Sequence, residues 1–598
     1  MKPRTPQHRV LALTLVAMIA AVALIGSVAA GRAGASAKHA SKTYPREKTL
    51  ITYGTQWGDI AGFNPYGDNY AVGTVGLCYE TLLRYDPLAG RYINWLAKSA
   101  RFTGPKTFTV VLRPGIKWGD GKPFTAQDVA WNFRLGRFVT AFWNNLYLNL
   151  KSIETPLAKR LVPKKRAVWT RDRVVFTFRR TPNYAQWQNL LWNLPMISPA
   201  QAKGRIQSPT DLLAFSPIDP IGTGPYKLDP EGYDPTTRVV WKKKAVWWAA
   251  KQGIAPSPKP PYVIDLVSGI CNACDLSGVL TGIEDLNNIY LPGIQELANR
   301  GLVQTYYSRP PYDLTANTTW LTPNTTHKPL DDPVFRRALA TSINVSQIVS
   351  NDYRNLVLPA SPTGLLPIWK KWINTSLVAA KGFSFSTSGA ISMLRAAGYS
   401  DASGWFANKD GSPISLKIAV PSGWSDWEAA RDMIVADAAA AHIKLTTSTL
   451  GYFDDYRRAR NSGEFDLVID STPQISDNPW TYFNFLFHLP IITTGPGQTF
   501  ANFSRYANAT AWARLQQLDK TPLGNTKARK RLIDDLEAIQ LDDLPNIPLW
   551  YNGLWSQSQS HNWTNWPSST SSRKYVPTMW RGYMQMTGID MITHLKRS

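Results

Sequence analysis

Three features of the sequence predict a mixed α/β fold. Short apolar runs bounded by Pro, Gly or Asp read as strands. Stretches with apolar residues at helical spacing and polar caps are interleaved with them. Hydrophobic residues make up 44% and charged residues 18%, a globular balance that excludes a disordered chain, a coiled coil or a collagen-like fibre. The 598 residues suit roughly four units of about 150 residues, or fewer large lobes.

Residues 1–9 carry Lys2, Arg4 and Arg9 without an acid, and 10–30 are almost wholly apolar. Ala35-Ser36-Ala37 then offers a small-residue cleavage site. The pattern predicts a signal peptide over 1–37, or an uncut anchor, because the apolar run is long enough to span a bilayer. Leu24-Ile25-Gly26 is followed by Ser27 rather than Cys, so lipid attachment is not expected. The chain is expected to work outside the cytoplasm, in the periplasm or at the cell surface.

Residues 38–48 are polar and read as a linker. Alternation predicts a strand over 49–54, and 73–85 reads as a helix stopped by Asp86-Pro87. Residues 107–112 are β-rich and closed by the turn Arg113-Pro114-Gly115. Thr125, three residues before Asp128, caps a helix over 125–134. Residues 173–178 read as a strand, and 208–233 as a Pro- and Gly-rich loop. Helices are expected over 333–350, 387–398, 427–441 and 528–541, and strands over 416–420, 443–447 and 465–469.

The formal charge is +24, from 66 Lys and Arg against 42 Asp and Glu. The basic clusters are scattered and no nucleic-acid motif accompanies them, so no nucleic-acid partner is expected. Attraction to an anionic surface and simple solubility both account for the charge. Catalytic signatures are missing: no His-x-x-x-His pair, no Gly-x-Ser-x-Gly elbow and no phosphate loop occurs. Cys271 and Cys274 are spaced for a local disulfide, and Cys78 reads as a buried thiol. No metal or cofactor is expected.

Several motifs in order are more specific. Residues 79–87 read Tyr-Glu-Thr-Leu-Leu-Arg-Tyr-Asp-Pro, and Trp95-Leu96-Ala97 follows. Residues 112–129 contain Arg113-Pro114-Gly115-Ile116-Lys117-Trp118-Gly119-Asp120-Gly121-Lys122-Pro123-Phe124-Thr125. Gly222-Thr223-Gly224-Pro225-Tyr226-Lys227, Phe335-Arg336-Arg337-Ala338-Leu339 and Leu394-Arg395-Ala396-Ala397-Gly398-Tyr399 complete the series. From about residue 49 to 555 the chain resembles the family 5 solute-binding proteins of bacterial ABC importers.

The resemblance implies a three-lobed α/β fold of the type II periplasmic-binding-protein kind with a hinged ligand cleft. Lobe I would comprise 49–80, 220–305 and 555–598, lobe II 81–219, and lobe III 306–554. Hinge crossings would lie near 315–321 and 551–555. The expected role is capture of a small solute, as a monomer without enzymatic activity, and delivery to a membrane permease. Closure works because ligand touches both lobes only when they are shut.

The family carries peptides, oligosaccharides and nickel. Peptide members hold the amino end with an Asp late in the third lobe. Ungapped pairing sets Thr472 and Ile475 at the family's Trp and Asp, and a shift of two would let Asp477 serve. Residues 421–427 resemble a segment of oligosaccharide-binding members. Trp57, Trp424, Trp427, Trp480 and Tyr482 offer flat faces for sugar rings, and Asp426, Asp477 and Asn478 offer polar partners. An oligosaccharide is therefore the first expectation and an oligopeptide the second. A secreted glycoside hydrolase and a membrane-anchored surface receptor are the readings from other classes.

Overall fold

The computed structural model describes residues 42–598, apart from 68, 139–141, 163–165, 270, 273–275, 472–477, 492–501 and 580–585. The signal-or-anchor segment 1–37 and most of the linker lie outside them. Among the described residues, no helix is long and apolar enough to cross a membrane.

Three sheets organise the chain from Tyr44 onward. The first has the order Tyr226–Leu228, Arg238–Lys243, Tyr262–Ser268, Thr49–Trp57, Leu286–Asn287, Gln557–Ser558. Thr49–Trp57 pairs in parallel with strands on both sides. Being covered on both faces, it is buried at most positions. The second sheet is antiparallel: Ala97–Gly104, Thr107–Leu112, Arg173–Phe178, Leu150–Glu154. Its alternating burial puts Phe108, Phe176 and Phe178 around the fully buried Trp187, with ring centroids 5.0 to 5.5 Å away. The helix Ala126–Arg134 begins with the expected capping box between Thr125 and Asp128 and drives Phe133 into the same core.

The third sheet has the order Leu358–Pro359, Ile547–Leu554, Leu314–Pro323, Leu467–Asp470, Leu416–Pro421, Leu445–Leu450. Leu416–Pro421 pairs in parallel with both neighbours. The chain passes between the first and third sheets twice. Gln304 bridges Ser558 beside the first sheet, and Leu314 opens a strand of the third. Ile547–Leu554 returns antiparallel to Leu314–Pro323, and only residues 555–556 separate it from Gln557–Ser558. Residues 315–321 thus lie inside the third sheet. A further tie joins the helix Tyr184–Asn193 to Ala509–Asp519. The buried Asp519 carboxylate accepts hydrogen bonds from Asn183 Nδ2 (2.8 Å), Gln186 N (3.1 Å) and Gln186 Nε2 (2.6 Å).

Three expected elements differ. Residues 208–233, expected as a loop, hold the helix Pro209–Ala214 and the strand Tyr226–Leu228. The helix expected over 333–350 stops at Ser342, because Ile343 is extended. Residues 73–85 form turns and then the strand Leu83–Asp86 rather than a helix. Gly73 and Gly76 sit at φ of 84° and 98°, a backbone that no helix accepts. Cys78 is a buried free thiol within these turns. The Gly222-Thr223-Gly224 motif runs alongside, with Gly224 N donating to Cys78 O at 2.8 Å. A Cβ on Gly222 would lie 1.9 Å from Cys78 O, so backbone approach accounts for that glycine.

This junction holds a fully buried carboxylate. Glu80 Oε1 accepts from the indole nitrogens of Trp95 (2.9 Å) and Trp247 (3.3 Å). Its Oε2 accepts from Trp248 Nε1 and Thr223 Oγ1, both at 2.7 Å. Burial raises the Glu80 carboxyl above its ordinary range, and the hydrogen bonds from Trp248, Thr223 and Trp95 and nearby Lys244 oppose that shift. Glu80 therefore ties three distant stretches of sequence to one point.

Candidate functional site

The parallel strands of the first and third sheets bring their carboxyl ends to one aromatic cluster. In open α/β sheets, that is where ligand crevices form. Trp57 ends the first-sheet strand Thr49–Trp57. Trp424 follows Leu416–Pro421 and precedes the helix Ser425–Ala440. Gly423, at φ 82°, makes the turn between them. Tyr452 follows Leu445–Leu450, the parallel neighbour of Leu416–Pro421.

The Trp57 ring packs edge-on against Trp424 at 5.1 Å and Tyr452 at 5.9 Å. Trp424 stacks on Tyr452 at 5.2 Å and meets Trp427 at 4.6 Å. Trp427 is buried at 2% exposure, whereas Trp57, Trp424 and Tyr452 are half-buried. The latter three keep part of their ring surface open to solvent, and Trp427 backs them from the core.

A polar layer lies beside the rings. Asn272, next to the disulfide-bonded Cys271, donates through Nδ2 to Asp426 Oδ1 at 2.8 Å, and its N–H reaches Gly423 O at 3.2 Å. Cys274 lies outside the described residues. Tyr353 OH donates to Asp426 Oδ2 at 3.1 Å. Burial pushes the Asp426 carboxyl up to about 6. Asp352 is pushed up to about 8, by burial first and then by the charge of Asp426. Two neighbouring carboxyls taken out of water resist ionising together.

These directions carry a pH dependence. A carboxyl whose folded value lies above its unfolded value of about 3.9 favours the folded form when protonated. That advantage is complete below the unfolded value and is lost as pH rises through the folded one. Asp352→Asn, which cannot ionise, is expected to melt about 2 °C above the parent chain at pH 8.5. The gap should close towards pH 4. A gap independent of pH in paired melting curves would remove Asp352 as its source.

Trp480 and Tyr482 lie in a different hydrophobic cluster from Trp424 and Trp427, and Asn478 is buried just before Trp480. Asn478 Oδ1 accepts from Trp480 N (3.0 Å) and from Nη2 of the buried Arg529 (3.4 Å). Tyr482 OH donates to Thr363 O at 2.9 Å, and its ring lies 5.5 Å from Trp320. Trp480 is 4% exposed, and its indole nitrogen finds no hydrogen-bond partner among the described residues. Asp477, with Thr472 and Ile475, lies outside the described residues. Sequence reasoning did not single out Tyr452, Asn272, Asp352 or Tyr353. Gly451 at the end of a strand was the one local signal for Tyr452.

Sheets joined by two crossing segments, with parallel strand ends converging on half-buried rings, define a hinged solute-binding architecture. The chain belongs to the bacterial extracellular solute-binding proteins of family 5, whose model, described as "family 5 Middle", matches residues 91–492. It is a binding protein rather than an enzyme.

The fold is similar to that of a periplasmic oligopeptide-binding protein of an oligopeptide ABC transporter from Thermotoga maritima. That match has a TM-score of 0.84 and 30% identity over 93% of this chain and 100% of the other. A mannohexaose-bound structure of the same Thermotoga protein matches with a TM-score of 0.82, 30% identity and the same coverage. Among curated relatives, the nickel-binding periplasmic protein of Escherichia coli is 26% identical over 46% of this chain and 48% of its own length. A probable ABC transporter-binding protein of Deinococcus radiodurans is 31% identical over 14% of this chain and 16% of its own. The chain thus spans half or less of the length of these two.

Proposed function

We propose that this chain captures an oligosaccharide outside the cytoplasm and delivers it unchanged to the membrane permease of an ABC importer. In this reading 49–80, 220–305 and 555–598 form one lobe, 81–219 a second and 306–554 the third. The guest lies between the first and third. The observation that carries the reading is the ring cluster Trp57, Trp424 and Tyr452, which draws on both of those lobes. Aromatic faces cover the CH faces of pyranose rings, and carboxylate and amide groups meet the hydroxyls. The mannohexaose bound by the Thermotoga protein supports this ligand class.

An oligopeptide is the second reading, favoured by the name of that same relative and by the Asp352 and Asp426 carboxyls beside the rings. An ammonium entering there would draw both carboxyls towards the ionised form.

Thermal shift with mannohexaose and with a set of tri- to pentapeptides separates the two. Ligand at 100 times its Kd stabilises by about 2.7 kcal/mol through mass action. A rise with mannohexaose alone supports the first reading, and a rise with peptides alone the second. No rise with any soluble solute, together with unchanged small-angle scattering, would sink both.

A further inference from the structure

A cavity of about 720 Å³, lined by none of the rings of the aromatic cluster, lies where the chain leaves and re-enters the first sheet. Its walls are 301–308 with Tyr312, then 558–561, then 568–570. Backbone hydrogen bonds tie these walls together. Gln304 and Ser558 exchange two at 2.9 Å, Ser569 N reaches Tyr306 O at 2.8 Å, and Tyr307 N reaches Tyr312 O at 2.7 Å. The cavity is therefore preformed rather than a gap between loose loops.

Its chemistry departs from the rest of the chain. Ten of its seventeen lining residues are Ser, Thr or Tyr. None is Lys, Arg, Asp or Glu, although 18% of the whole sequence is charged, so about three would be expected by composition alone. The Tyr306 and Tyr307 rings pack edge-on at 5.0 Å. Tyr306 is only 4% exposed, yet neither tyrosine hydroxyl has a hydrogen-bond partner among the described residues. Burial first, and then the charges of Tyr307 and Asp86, push the Tyr306 hydroxyl up to about 12, which keeps it a neutral donor.

A charged guest would find no Lys, Arg, Asp or Glu in the walls and His561 as their one titratable cation, with the Asp86 carboxylate acting from behind Tyr306, so burying it would be costly. A purely apolar guest would cover hydroxyls without satisfying them. An uncharged guest that carries many hydroxyls meets both conditions, because ring edges can cover its CH groups while the hydroxyls exchange hydrogen bonds. We propose that this cavity is a second solute site, selective for a neutral hydroxyl-rich molecule such as a saccharide unit, at the root of both crossing segments. Because 304–312 and 555–561 form or adjoin its walls, a guest there touches the segments that must bend when the cleft opens.

The test uses the full chain and mannotriose, with calorimetry and saturation-transfer NMR. Trp424→Ala cripples the proposed cleft. In that background saturable mannotriose binding is expected to persist. Ser308→Arg, at the exposed rim, and Tyr307→Ala are each expected to weaken it at least tenfold. Ser308→Arg should leave the melting temperature unchanged, so a loss of binding is not a loss of fold. Galacturonic acid should bind no better than its screened background. The proposal is overturned if Trp424→Ala alone abolishes saturable mannotriose binding, or if the two cavity variants leave that binding unchanged. If the cleft takes peptides only, wild-type mannotriose binding is itself lost in the cavity variants, so failure of the cleft reading is scored separately.

Discussion

Glu80→Ala is expected to destabilise the protein by about 3–5 kcal/mol. The change removes the acceptor shared by Trp95, Trp247, Trp248 and Thr223, and leaves four buried donors with nothing to bind. Each unsatisfied buried group costs roughly 1–3 kcal/mol. Relaxation and water entry keep the total below the simple sum. Glu80→Gln retains one acceptor oxygen but turns an amide N–H towards indole donors, so about half the loss is expected. Urea unfolding measures both. A Glu80→Ala midpoint within error of wild type would mean that the indole groups find other partners and that the junction does not depend on the carboxylate.

Trp57→Ala and Trp424→Ala are each expected to weaken binding of the cleft solute by about 30-fold or more, equal to roughly 2 kcal/mol. Both rings are half-buried, so melting temperatures should change little. Tyr482→Phe supplies the contrast. It removes the hydrogen bond to Thr363 O inside a packed cluster, and about 1 kcal/mol of stability should go with it. Its affinity for solute should stay within twofold. Calorimetric titration with mannohexaose, or with the peptide identified by thermal shift, reads all three. Equal losses from the tryptophans and from Tyr482 would undo the division into a binding cluster and a packing cluster.

The strands over 107–112 and 173–178 and the capped helix at Thr125 were readable because their signals are local. Alternation and a capping box act within a few residues. The segment 73–85 was misread because its apolar spacing resembles a helix, while Gly73 and Gly76 impose a left-handed backbone that spacing does not reveal. Trp57 and Trp424 could be singled out as flat, adaptable side chains. Their contact could not, because 367 positions separate them in sequence. Asn272 and Tyr353 were invisible for the same reason: each becomes important only by meeting Asp426.

By itself, the sequence determined the mixed α/β class, most local elements and the family, since ordered motifs and short-range periodicity survive without knowledge of contacts. It also identified residue types suited to a solute with flat faces and hydroxyls. Only the tertiary structure decided which tryptophans meet at the parallel strand ends and which pack within a separate cluster. Only there did the Glu80 carboxylate acquire its indole donors and Asp352 its raised proton affinity. Burial and pairing arise when distant segments close on one another, and a linear order of residues holds no record of that closure until the chain is folded.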